Sequence, residues 1–145
     1  MKVRLIGIGN PGRQDDGLGP ALIDKINSCP PFSVNAEWRY QLNIEDAQAI
    51  QDADMVVFAD ATTEGAEPAT LTEITPASDI AFTTHALAPE SVLALAEELY
   101  GRAPKAYVLA IRGYAWDIGE DLSPQASANL DRALSLLAEF LKNEM

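Results

Sequence analysis

The feature that most constrains the fold is a glycine-rich segment, residues 7–19, which reads GIGNPGRQDDGLG. The apolar run at residues 3–6 that precedes it is typical of a buried strand. After it, Leu18, Leu22 and Ile26 recur every four residues, as on the buried face of a helix. A strand, a glycine turn and a helix in this order are typical of an open α/β sheet, whose functional sites lie outside the carboxyl ends of the strands.

One interpretation of this turn is a dinucleotide site. Gly7, Gly9 and Gly12 fit the pattern G-x-G-x-x-G, in which the backbone approaches a pyrophosphate at a helix N-terminus. The carboxylates of Asp15 and Asp16 argue against this interpretation, because they would repel a phosphate. The apolar stripe of the helix also begins several residues after the last glycine of the pattern. For these two reasons, a nucleotide-binding α/β module that uses the turn from Gly7 to Gly12 is only an alternative interpretation.

Further strands and helices alternate along the chain. The apolar run at residues 55–59 predicts a central strand that ends at Asp60. The strand at 70–75 follows too closely for a parallel crossover, so we expect it to be antiparallel and at an edge. Patterning also predicts helices at 18–28, 44–52 and 89–100, with Gly101 as the stop of the third. It further predicts strands at 37–42 and 105–111, and a last helix capped by Ser123. We expect one domain over residues 1–145, a three-layer α/β/α sandwich with about five strands, mostly parallel.

The charge balance restricts the choice of partners. The chain has 10 Lys and Arg residues against 22 Asp and Glu residues, a formal net charge of −12. Such an acidic surface repels phosphate backbones and anionic lipids, so we expect neither nucleic acid nor a membrane as a partner. The single cysteine, Cys29, cannot form an internal disulfide, and no apolar run approaches the length of a membrane span. These observations favour a cytoplasmic protein.

Three titratable side chains are candidates for chemistry. Asp16 follows the first strand and Asp60 ends the central one, and these two strands are commonly neighbours in doubly wound sheets. His85, the only histidine, follows the predicted antiparallel strand. Two carboxylates and an imidazole suit divalent ions such as Ni²⁺ and Zn²⁺ and leave coordination positions open. We therefore expect Asp16, Asp60 and His85 to converge at the carboxyl edge of the sheet.

Each candidate also has a structural interpretation. Asp15 or Asp16 could cap the first helix through its backbone N–H groups. Asp60 could bond the threonine turn that follows it, and a lone histidine such as His85 is more often structural than a ligand. The sequence contains no G-x-S-x-G elbow and no H-E-x-x-H pair, and no base lies beside Cys29. It therefore shows no self-evident protease nucleophile.

The complete string G-x-G-N-x-x-x-x-D-D-G-x-G resembles the opening motif of the [NiFe]-hydrogenase maturation endopeptidases. Asp60 with the following alanine is similar to the second acidic site of that family, and His85 with the preceding threonine is similar to its histidine site. Residues 121–124, Asp-Leu-Ser-Pro, are also similar to the family. The resemblance implies an endopeptidase that removes a short C-terminal extension from the hydrogenase large-subunit precursor after nickel insertion.

The resemblance also implies roles for residues. Asp16, Asp60 and His85 would be both the catalytic residues and the ligands of nickel, which the substrate would supply. A carboxylate or a metal-bound water could attack the peptide bond, or the nickel of the substrate could complete the site; the resemblance favours the second account. Another divalent metal such as zinc is a further candidate, and a chaperone that binds the precursor without cutting it is an alternative function. The loop at residues 113–121 is a candidate partner contact.

Overall fold

The structure, a computed structural model, describes residues 1–28, 34–78 and 87–144. Strands and helices alternate along this part of the chain. In order they are β1 (Val3–Ile8), a 3₁₀ turn (Gln14–Gly17), α1 (Leu18–Asn27), β2 (Asn35–Arg39), α2 (Glu45–Ile50), β3 (Met55–Thr62), β4 (Ala69–Ile74), α3 (Pro89–Tyr100), β5 (Lys105–Arg112) and α4 (Pro124–Glu144).

The five strands form one sheet in the order β2-β1-β3-β5-β4. Four strands are parallel, and β4 pairs with β5 in the antiparallel direction at the edge. This confirms the predicted sheet, including its antiparallel edge strand. The strands β1 and β3 are neighbours, with Gly7 opposite Ala59. The segments that follow these two strands therefore leave the sheet side by side.

Helices cover both faces of the sheet, because the central strand buries side chains in both directions. On one face, Val57 of β3 belongs to an apolar cluster with residues of α1 and α4. On the other face, Val56 and Phe58 belong to a cluster with residues of α2 and α3. All three side chains are fully buried, as expected for a central parallel strand. The predicted three-layer α/β/α architecture is confirmed.

Some strands end at other residues than predicted, because their ends depend on backbone pairing with a neighbouring strand and not on the side-chain pattern. The second strand was predicted at residues 37–42; the strand is present, but its bounds were wrong, since β2 covers Asn35–Arg39. The strand β2 ends at Arg39, whose carbonyl accepts a hydrogen bond from the N–H of Gly9, the residue after β1, at 3.0 Å. The strand β3 continues two residues past Asp60, because β5 pairs with it as far as Thr62. Other predicted bounds agree to within two residues.

Helix ends follow the predicted chemistry. Gly101 ends α3 in the left-handed conformation at φ 81°. The hydroxyl of Ser123 accepts a hydrogen bond from the Ala126 N–H at 3.2 Å, so Ser123 caps α4 as predicted. In the described ranges, none of the helices has the length and apolar character needed to cross a membrane. Cys29 lies outside the described residues.

Candidate functional site

The segment between β1 and α1, residues 9–17, is here called the motif loop. It returns tightly onto β1, since a methyl group at Gly9 would overlap the carbonyl oxygen of Asp16, and Gly9 has φ +145°. A methyl group at Gly19 would lie 2.7 Å from the carbonyl oxygen of Ala59 in β3. The first turn of α1 therefore packs directly against the backbone of the sheet. Glycine is required at both positions for this close approach.

Asp16 holds the motif loop in shape and does not cap α1. Its Oδ2 accepts a hydrogen bond from the Asn10 N–H at 2.9 Å. The Oδ1 of Asn10 in turn accepts from the Gly12 N–H at 2.8 Å. No side-chain bond caps α1, so the capping interpretation of Asp16 is wrong. The carboxylate is half-buried and stands at the carboxyl end of β1.

Asp60 lies in β3, opposite Ala110 of β5, and is partly buried. Its Oδ1 accepts a hydrogen bond from the Ala61 N–H at 2.8 Å. The following turn is held instead by Thr62, whose hydroxyl donates to the Glu64 carbonyl at 2.7 Å, so the turn interpretation of Asp60 is wrong. Burial is the main cause that raises the pKa of Asp60 to about 7, against the hydrogen bond from Ala61. The negative charge of Asp16 raises it further.

The two aspartates therefore interact electrostatically at the carboxyl edge of neighbouring strands, where the sequence predicted them. The predicted third member, His85, lies outside the described residues. Within residues 1–28, 34–78 and 87–144, no three His, Cys, Asp or Glu side chains are arranged to hold a metal ion. The participation of His85 stays a prediction.

A paired carboxylate site of this kind favours cations over anions. Asp60 keeps a proton up to near-neutral pH mainly because it is buried, and further because a second negative charge beside Asp16 is unfavourable. A divalent cation between the two carboxylates would remove that repulsion and displace the proton. Asp16 and Asp60 could therefore contribute two oxygen ligands to a divalent cation, and a nitrogen ligand such as an imidazole would be needed to favour nickel or zinc.

The raised pKa of Asp60 predicts how the stability of the metal-free protein depends on pH. The pKa in the folded state, about 7, lies above the ordinary aspartate value of 3.8, so folding favours the protonated carboxyl. This contribution is complete below about pH 4 and is lost as the pH rises through about 7. We expect the free energy of unfolding to fall by on the order of 2–4 kcal/mol across this range.

Thermal melts of the EDTA-treated protein at several pH values measure this effect. Asp60→Asn removes the titrating group and should flatten the profile between pH 5 and 8. Identical profiles for the wild type and the variant would contradict the assigned pKa.

Asp15 is the structural residue that sequence reasoning did not identify. Its carboxylate is fully buried and accepts four hydrogen bonds from a segment about 100 residues away. The donors are the N–H groups of Tyr114 at 2.7 Å, Ala115 at 2.9 Å and Ser123 at 2.8 Å, and the Ser123 hydroxyl at 2.7 Å. Burial opposes ionisation of Asp15, but these bonds outweigh it and lower the pKa. The capping interpretation of Asp15 is therefore wrong.

The segment at residues 113–123, here called the docking loop, follows β5 and lies against the motif loop. The Gln14 N–H donates to the Gly119 carbonyl at 2.7 Å, and the Gly119 N–H donates to the Gly12 carbonyl at 2.9 Å. The Oε1 of Gln14 accepts from the Asp117 N–H at 3.0 Å. Together with Asp15, these bonds fix the docking loop relative to the carboxyl edge.

No protein-family model and no curated protein matches this sequence. Solved structures do match its fold. The hydrogenase maturating endopeptidase HybD from E. coli aligns with a TM-score of 0.77 and 18% identity, over 99% of this chain and 94% of that chain. The hydrogenase 2 maturation peptidase from Thaumarchaeota archaeon SCGC_AB-539-E09 aligns with a TM-score of 0.70 and 20% identity, over 97% and 98%.

A third structure, the [NiFe] hydrogenase maturation protease HycI from Thermococcus kodakarensis KOD1, aligns with a TM-score of 0.69 and 23% identity, over 97% of this chain and 92% of that chain. Likeness at these identities shows that the chain has the fold of these proteins over almost its whole length. The fold thus agrees with the resemblance of the motifs.

Proposed function

We propose that this protein is an endopeptidase that removes a C-terminal extension from a [NiFe]-hydrogenase large-subunit precursor after nickel insertion. The observation that carries the proposal is the pairing of Asp16 and Asp60 at one sheet edge, where burial raises the pKa of Asp60 to about 7 and the charge of Asp16 adds to the effect. Asp16 belongs to the opening motif that resembles the maturation endopeptidases, and Asp60 is the residue similar to their second acidic site. The proteins named for that activity share the fold.

Nickel in this proposal belongs to the substrate. The carboxylates of Asp16 and Asp60, with His85 as the third ligand, bind the nickel that the precursor carries. The support is electrostatic. A divalent cation bound between two half-buried carboxylates would cancel their mutual repulsion, which further raises the pKa of Asp60. A precursor without nickel leaves this repulsion in place and binds less well. Zinc resident in the isolated enzyme is the alternative use of the same donors.

The residues of this chain position the reacting groups in the same proposal. The hydrogen bond from Asn10 orients Asp16, and the hydrogen bond from Ala61 orients Asp60. Both carboxylates are fixed before the precursor binds, so little side-chain order is lost on binding. The peptide bond to be cut would then lie at the carboxyl edge, where the nickel of the substrate would complete the site and organise the attack.

Mass spectrometry of a nickel-loaded precursor tests the proposal. Incubation with the wild-type protein should convert the precursor to a shorter chain and a released C-terminal peptide. A precursor that binds with its mass unchanged would contradict a protease and support the chaperone alternative. The precursor used should be that of a hydrogenase from the cell that makes this protein.

The nucleotide alternative is disfavoured by the hydrogen bonds of the motif loop. A phosphate would need the backbone N–H groups of the loop, but the Asn10 N–H donates to Asp16 and the Gly12 N–H donates to the Asn10 side chain. Thermal shift measurements with NAD or ATP against Ni²⁺ or Zn²⁺ separate the two functions, since a ligand of the folded state raises its midpoint. A shift with the nucleotide alone would support the alternative.

A further inference from the structure

The docking loop presents one apolar side chain to solvent at a fixed position. Ile118 is 83% exposed, more than any other large apolar side chain in the part of the chain that the structure describes. An isolated exposed apolar residue is ordinary, but the backbone on both sides of this one is held. The Asp117 N–H donates to Gln14, and the N–H and carbonyl of Gly119 both bond the motif loop. Ile118 therefore projects from an anchored backbone.

The surroundings of Ile118 are mainly acidic. Asp117, Glu120 and Asp121 are exposed, and residues 114–123 contain no Lys or Arg. Arg13 of the motif loop is exposed and its backbone pairs with that of Gly119, so one basic residue lies close in the chain pairing to these three acidic ones. A partner that matches this surface has an apolar depression bordered by basic side chains.

We propose that Ile118, Asp117, Glu120 and Asp121 form the surface on which the folded body of the large-subunit precursor docks, apart from the peptide that is cut. This inference rests on the proposed function and identifies how the partner is recognised. The surface projects outward, so it fits a preformed depression on a folded protein. Asp15, which bonds the docking loop, is the neighbour of Asp16 in the chain. A precursor bound to the docking loop is therefore held at a fixed distance from Asp16.

The first test removes the apolar contact without changing charge. Ile118→Gln should lower kcat/KM for the nickel-loaded precursor by about tenfold, through KM, with kcat and the melting temperature unchanged. The matched control is Leu99→Gln. Leu99 is 57% exposed near the end of α3, which leads into the start of β5 and so lies at the opposite edge of the sheet. The control should cleave like the wild type.

The second test changes only charge. The double variant Glu120→Gln, Asp121→Asn should associate with the precursor several-fold more slowly at low salt, with a weaker dependence on salt. The control, Glu97→Gln with Glu98→Gln, removes two exposed carboxylates from α3. Equal association rates for the two double variants would overturn the charge part of the proposal.

The outcomes separate the docking surface from the proposed function. If the wild type cleaves and Ile118→Gln has an unchanged KM, the docking surface is wrong and the function stands. If the wild type does not cleave, the affinity of the precursor for the wild type and for Ile118→Gln is measured directly to test the docking surface. Binding that is weakened by Ile118→Gln supports the surface, and binding that is equal or absent in both proteins overturns it.

Discussion

Asp16→Asn should reduce cleavage of a nickel-loaded precursor by at least about 100-fold, while the melting temperature changes little. The asparagine has the same size, and its Oδ1 can still accept the hydrogen bond from the Asn10 N–H that shapes the motif loop. The change removes the negative charge that the proposed site uses to bind nickel. Cleavage rates and thermal melts of the variant measure the two effects separately.

A second readout distinguishes a site residue from a merely structural one. Because the charge of Asp16 contributes to the raised pKa of Asp60, Asp16→Asn should lower that pKa in the metal-free protein. The pH dependence of the melting temperature reports this change. Asp24→Asn, on the exposed face of α1, is the control and should alter neither readout. Undiminished cleavage by a double variant of Asp16→Asn and His85→Ala would contradict the assigned site.

Asp15→Ala should destabilise the fold more than any surface substitution. It removes the acceptor of four hydrogen bonds and leaves donors of Tyr114, Ala115 and Ser123 without a partner. We expect a loss on the order of 4 kcal/mol in the free energy of unfolding. The melting temperature should fall by roughly 10–15 °C. Cleavage should fall as well, because Asp15 joins the docking loop to the motif loop.

The effect of pH on this interaction has the opposite sign to that of Asp60. The pKa of Asp15 is lowered in the folded state, so its contribution is present above the ordinary carboxyl pKa and is lost as the pH falls towards the folded value. The wild type should therefore lose stability in acid more steeply than Asp15→Ala. Asp15→Asn keeps the size of the side chain, but its amide group would face N–H groups that also donate and so could not bond them. This variant should therefore also be less stable than the wild type. A melting temperature equal to that of the wild type for Asp15→Asn would contradict the role of the carboxylate.

Local patterns predicted the elements whose causes are local. The short link before β4 requires an antiparallel strand, and β4 is antiparallel. Gly101 and Ser123 end and begin helices through bonds to nearby residues, and both are found as predicted. Asp16 and Asp60 were predicted at one edge because strand order in such sheets follows general rules. These parts of the fold needed no knowledge of distant contacts.

The properties that were not predicted depend on distant contacts. The role of Asp15 requires donors that lie 99 to 108 residues away, and no spacing in the motif indicates them. The end of β2 depends on where its pairing with β1 stops. The pKa of Asp60 depends on burial by the assembled protein. The exposure of Ile118 depends on anchors in the motif loop.

The measurement that tests the central claim most directly compares one precursor with and without nickel. Both forms are incubated with the wild-type protein under the same conditions, and the release of the C-terminal peptide is followed by mass spectrometry. The proposed function predicts release from the nickel-loaded precursor and none from the nickel-free form over the same time. Equal rates of release from the two forms would contradict recognition of nickel by Asp16, Asp60 and His85.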